Sequence, residues 1–208
     1  IAEELYPTTT HIICKVNDQG HLETADIELL QWILYGAIFV KEAWMTDCLK
    51  DDSTIRRDCD YLIRSVVYKG KLLENCIVPW TEARAKGAMP FLLGVTVIYC
   101  AAQKMNGIGG GPDELRIFHT LIENLGGTAA LQWVNTDVWN PGFRPYLHSN
   151  RGPLFLVHDE SLADIELYKD NKLFTFITVD AFVEFLLTRE TSRNEMKPVI
   201  PQTGQVEQ

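Results

Sequence analysis

The amino-acid sequence predicts an α/β fold built from two copies of one strand–helix unit. Three observations carry that expectation. The pentapeptide Ala25-Asp26-Ile27-Glu28-Leu29 recurs letter for letter, 138 residues later, as Ala163-Asp164-Ile165-Glu166-Leu167. The same offset sets Ala43-Trp44 on Ala181-Phe182 and Leu49 on Leu187, so the match keeps register into a following helix. Short runs rich in β-branched and aromatic residues alternate with stretches of helical period, the pattern of parallel strands joined by right-handed crossovers.

Taken in order, His11–Lys15 (HIICK) and Leu154–His158 (LFLVH) are short apolar runs suited to buried strands. A short helical segment follows each, Ile27–Leu34 and Leu162–Tyr168, and then a second strand, Ala37–Val40 and Phe174–Thr178. Each copy closes on an amphipathic helix, Glu42–Leu49 and Asp180–Arg189, with Trp44 and Phe182 expected to face inward near its start. The second copy also shows a front half. Gly94–Ala101 reads as a strand, and Pro112–Asn124 as a helix with proline and acids in its first turn. Gly126-Gly127 supplies the left-handed stop, and Thr128–Val134 is the next strand. Only nine residues precede Thr10, too few for a strand and a helix, so the first copy is expected to lack both. The expected organisation is a first repeat over residues 1–63, a linker over 64–90, a second repeat over 91–201 and a polar tail over 202–208. The linker carries Trp80 and a short helical stretch at Thr81–Lys86.

Composition limits what such a fold does. Of 208 residues, 46% are apolar, enough for packed cores. Lysine and arginine number 19 against 28 acids, a net charge of −9, shared as −4 and −5 on either side of Gly87. Neither half offers the basic face that a phosphate backbone requires, so direct sequence-specific nucleic-acid binding is not expected. No apolar run approaches the ~20 residues that span a bilayer, and the start does not read as a leader, so no membrane contact is expected. The cysteines Cys14, Cys48, Cys59, Cys76 and Cys100 are odd in number and form no C-x-x-C pair. Free thiols in a reducing, intracellular compartment are therefore expected. His11, His21, His119, His148 and His158 show no metal-ligand spacing, and no catalytic constellation stands out. The expectation is a binding module with no catalytic residue, metal or cofactor.

One set of motifs carries a resemblance. TTTHIIC, a short helix, Gly36-Ala37-Ile38-Phe39-Val40 with Trp44 four residues on, and then Tyr61-Leu62-Ile63 resemble a BRCT repeat. GVTVIYC, the helix ending in Gly126-Gly127, and ITVDAFVEFLL resemble a second, with Phe182 where the family usually has tryptophan. The likeness covers roughly Thr8 to Pro201, and the Pro198–Gln202 ending favours the branch that closes the breast-cancer type 1 susceptibility protein and its RING-domain partner. The resemblance implies a four-stranded parallel sheet flanked by helices in each repeat. It also implies a three-helix interface between repeats, formed here by Ile27–Leu34, Pro112–Asn124 and Asp180–Arg189. Gly36, Trp44, Gly126, Gly127 and Phe182 would be structural.

By the same resemblance the module would act in nuclear DNA-damage response and repair, in a parent protein that belongs to a ubiquitin ligase complex. It would read a phosphorylated partner in the cleft between repeats. Such a site needs a hydroxyl, a backbone amide and a lysine, because a buried dianion requires a cation. The peptide groove would fall on Ala25, Glu28, Leu30, Gly109, Gly110, Asp180 and Glu184. The lysine position is Glu28, a charge reversal, and no lysine or arginine stands between Lys15 and Lys41 to replace it. The phosphate site is therefore expected to be non-standard. The alternative is phosphate-independent binding of an unmodified partner such as a nucleosome or ubiquitinated histone. A more remote alternative is a nucleotide-binding enzyme, since Gly107–Pro112 with Asp137 imitates a dinucleotide fingerprint. Pro112 in the sixth position, and Asp113 and Glu114 where an anion would sit, speak against it.

Overall fold

The computed structural model describes residues 8–50, 55, 57–88, 90–100, 112–132, 154–158 and 175–189. The second repeat is the fuller one. Strands β6 (Thr96–Cys100), β7 (Thr128–Gln132), β8 (Leu154–His158) and β9 (Thr175–Thr178) form one parallel sheet in the order β7-β6-β8-β9. Helix α4 (Pro112–Asn124) connects β6 to the edge strand β7, and α5 (Val179–Thr188) follows β9. Thr178 caps α5 by accepting the Ala181 amide at 3.2 Å. The expected Leu162–Tyr168 helix lies outside the described residues.

In the first repeat, β1 (His11–Cys14) pairs in parallel with β3 (Ile38–Lys41), and α1 (Ile27–Tyr35) lies between them in sequence. This pair is the counterpart of β8 and β9. Among the described residues it is a two-stranded sheet, where the family pattern has four strands. Helix α2 (Glu42–Lys50) buries no residue, whereas α5 buries five. The expectation of an inward Trp44 is corrected accordingly. Its ring is half-buried and stacks on His11 with centroids 5.4 Å apart, while Phe182 is 0% exposed.

The first copy of the repeated pentapeptide makes a helix start. Asp26 is the N-cap of α1 and accepts the Glu28 amide at 2.9 Å, with Glu28 in the first turn where the helix dipole favours an acid. The stop is Gly36 (φ 81°), and its amide and that of Ala37 close back on Ile33 and Trp32. A Cβ at Gly36 would lie 2.8 Å from both the Arg84 Cβ and the Trp80 carbonyl oxygen. Gly126 ends α4 with the same φ, and there a Cβ would meet Pro90 at 2.6 Å.

The segment between the repeats is built into the fold. Strand β4 (Val66–Tyr68) pairs in parallel with the two-residue β2 (Leu22–Glu23) and antiparallel with β5 (Lys71–Leu73), giving a second sheet in the order β2-β4-β5. Helix α3 (Val78–Ala85) then packs Trp80 inward at 5% exposure. Its indole N–H donates to the Leu187 carbonyl of α5 at 3.2 Å, and its ring meets Phe91 edge-on, which in turn contacts Phe185. Leu30, Ile33 and Leu34 of α1 share one apolar cluster with Phe118, Leu121 and Ile122 of α4 and Phe182, Val183, Leu186 and Leu187 of α5. The three-helix interface is thus present, and the same side chains serve both the joint and the cores of the repeats.

Two substitutions test this joint. Gly36→Ala combines a left-handed φ with backbone and side-chain overlap, and should destabilise by about 2 kcal/mol or more in urea unfolding. Trp80→Phe keeps most of the apolar contact but leaves the Leu187 carbonyl unpaired in a buried setting. It should cost about 1–3 kcal/mol by the same measurement.

Candidate functional site

The residues that the resemblance places in the groove come from two elements that meet across the repeats. Ala25 and Glu28 stand at the start of α1, both exposed, while Leu30 is 1% exposed within the shared core. Asp180 and Glu184 lie one turn apart on α5, half-buried. Gly109 and Gly110 lie outside the described residues.

Sequence reasoning missed what stands between these two helices. Lys69 and Gly70 form the two-residue turn of the β4–β5 hairpin, with φ of 47° and 81°, and Tyr68 pairs with Lys71 across it. Positive φ at both positions is the geometry of a type I′ turn, which matches strand twist. Residue 69 is a lysine in a conformation that favours glycine or asparagine. Its ammonium accounts for the choice, because Lys69 Nζ reaches both carboxylate oxygens of Asp180, at 2.6 and 2.8 Å. The Tyr68 hydroxyl donates to the same carboxylate at 2.9 Å, and Lys71 pairs with Glu184. Burial, followed by the Asp180 hydrogen bond and the negative charges of Asp180 and Glu184, pushes the Tyr68 phenol well above its usual range. It therefore stays a donor. The Thr24 amide donates to the Val67 carbonyl at 3.1 Å, so the chain entering α1 beside Ala25 is bonded directly to the hairpin.

The result is a junction between hairpin and α5 with compensated charge. The acids of α5 are each met by a lysine of the hairpin, and Glu28 adds an exposed carboxylate on α1. A phosphate approaching here would meet lysines already paired with carboxylates. The signal for the hairpin was in the sequence: Val-Val-Tyr before Lys-Gly and Lys-Leu-Leu after it is two apolar runs around a two-residue turn. The partner of each lysine was not, since it lies more than a hundred positions away.

Among the described residues no helix is long and apolar enough to cross a membrane, and no group of three His, Cys, Asp or Glu is placed to hold a metal ion. Cys14, Cys48, Cys59 and Cys76 are in no disulfide. Burial pushes the thiols of Cys14 and Cys76 up to about 11, with Glu42 adding to the effect at Cys14. A thiol held protonated in the folded state favours folding below the unfolded value near 9 and loses that contribution as pH climbs towards 11. The urea midpoint should therefore fall between pH 9 and 11. At pH 8 the exposed Cys59 should react with iodoacetamide well before Cys14 or Cys76.

Comparison with known proteins gives the geometry its context. No protein-family model matches the sequence. An ankyrin repeat-containing protein of Caenorhabditis elegans is 38% identical over 202 residues, which is 96% of this chain and 16% of that protein. The BRCA1-associated RING domain protein 1 of the same organism is 24% identical over 161 residues, 77% of this chain and 22% of that protein. The chain thus spans less than a quarter of the length of either relative. Among solved structures, the BRCT5–BRCT6 domains of Brc1 from S. pombe superpose with a TM-score of 0.59 at 18% identity, covering 89% of this chain and 81% of that one. The four-stranded parallel sheet, the glycine-stopped helices and the helical joint between two repeats are therefore those of a tandem pair of BRCT repeats, and that is the fold of this chain.

Proposed function

We propose that this chain is a protein–protein interaction module of a DNA-damage response or repair protein, taking a segment of a protein partner at the cleft between its repeats. The observation that carries this reading is the meeting of α1 of the first repeat with α5 of the second, the elements that bear Ala25 and Glu28 and Asp180 and Glu184. The phosphate site departs from the family pattern, with Glu28 in the place of the lysine. The parent protein is nuclear and works within a ubiquitin ligase complex, a reading supported by the likeness to a RING domain protein.

A second reading is binding that needs no phosphate. It is favoured by the pairing of Lys69 and Lys71 with Asp180 and Glu184 and by the exposed carboxylate of Glu28. An acidic module of net charge −9 suits a basic surface such as a nucleosome carrying an unmodified or ubiquitinated histone.

Calorimetric titration with phosphorylated and unphosphorylated versions of one partner peptide separates the two. Tighter binding of the phosphorylated form supports recognition of phosphate, and equal affinities support the second reading. Glu28→Lys should raise affinity for the phosphorylated peptide by about tenfold, the scale of one charge-assisted hydrogen bond, and leave the unphosphorylated form little changed.

A further inference from the structure

Two joints of different physics connect the repeats. The first is apolar and dry: Trp80, Phe91 and Phe185 in ring contact, with the indole N–H satisfied at Leu187. The second is ionic and wet: Lys69 on Asp180 and Lys71 on Glu184, with side chains 27–61% exposed. The hairpin that carries these lysines pairs with the first repeat through the short β2–β4 ladder, which matches Leu22 with Val66 and Glu23 with Val67, and it seats Val66, Tyr68 and Leu73 in the apolar core. Its outer strand β5 is the edge of that sheet.

We infer that the Lys69–Gly70 hairpin is an electrostatic latch on α5, which releases independently of the apolar joint. Ion pairs this exposed contribute little each and are screened by salt, while the buried indole contact is not. The Tyr68 hydroxyl opposes release, since it shares Asp180 with Lys69 and belongs to the buried side of the hairpin. The latch therefore closes at low salt and loosens as salt rises, while Trp80 holds the repeats together in both states. Opening changes the α5 wall of the cleft, because Asp180 and Glu184 are its charged residues; that consequence rests on the partner-binding reading above, and the latch itself does not.

Hydrogen exchange read by mass spectrometry on the whole chain tests the latch without any partner. Raising sodium chloride from 20 mM to 1 M should speed exchange across residues 66–73 by about three- to tenfold, with residues 78–85 of α3 unchanged. Asp180→Asn with Glu184→Gln should produce the fast hairpin at low salt. Reversing the quartet, with Lys69→Asp, Lys71→Glu, Asp180→Lys and Glu184→Lys, should restore slow exchange. Hairpin exchange that ignores both salt and the neutral variant overturns the inference, as does a rise in which residues 66–73 and 78–85 speed up together. Should the variants not fold, the salt series on the unaltered chain decides alone.

Discussion

The arrangement of the two repeats depends on burying one indole. Trp80 brings a large apolar ring and an N–H that must find an acceptor once it is buried. The acceptor is the Leu187 carbonyl in the last turn of α5, a position where a helix has carbonyls with no partner of its own. One bond therefore satisfies two groups that would each be costly alone, and it does so across the repeats. The surroundings follow from it. Gly36 has to be a glycine because α1 must end and let α3 approach its backbone at the same point. Arg189 lies over the Trp80 ring, and Arg84 over that of Tyr35, closing the rim with cations on aromatic faces.

Charge is distributed with the same economy. The chain is acidic in both halves, yet two of its lysines are placed on one turn, facing two acids of the other repeat. Asp180 sits in the first turn of α5, where the helix dipole already favours a carboxylate, and it accepts from both a phenol and an ammonium. Cations used to join repeats are no longer free for an anionic ligand. The same four side chains thus join hairpin to helix and set the charge of this face of α5.

The fold was legible because its signals are local or repeated. ADIEL marks a capped helix start, Gly36 and Gly126 mark stops, and the apolar runs at His11 and Leu154 are the strands they read as. The helix ascribed to Thr81–Lys86 is longer, Val78–Ala85, because Pro79 opens its first turn and Trp80 needs to lie on its buried face. What stayed hidden depends on distant pairing. β2 has two residues and exists only because Val66 and Val67 pair with it, and Lys69 reads as an ordinary surface lysine until α5 arrives beside it. Trp44 was misplaced for a related reason. Its helix has the period of a core helix, but burial is decided by what packs over it, and α2 buries none of its residues where α5 buries five.

The continuous apolar cluster through α1, α4 and α5 has a consequence for the order in which the protein can fold. Ile33 and Leu34 leave the ribosome about 150 residues before the Phe182 to Leu187 face that shares their cluster, an interval on the order of ten seconds at ribosomal rates. During that interval the first repeat displays the apolar side of α1 with its intramolecular cover not yet made. Cooperative stability then arrives at once, when α5 docks. A chain of this design places its folding risk in the nascent state, and a mutation in α5 would be felt first as a failure to bury α1, about 150 residues away.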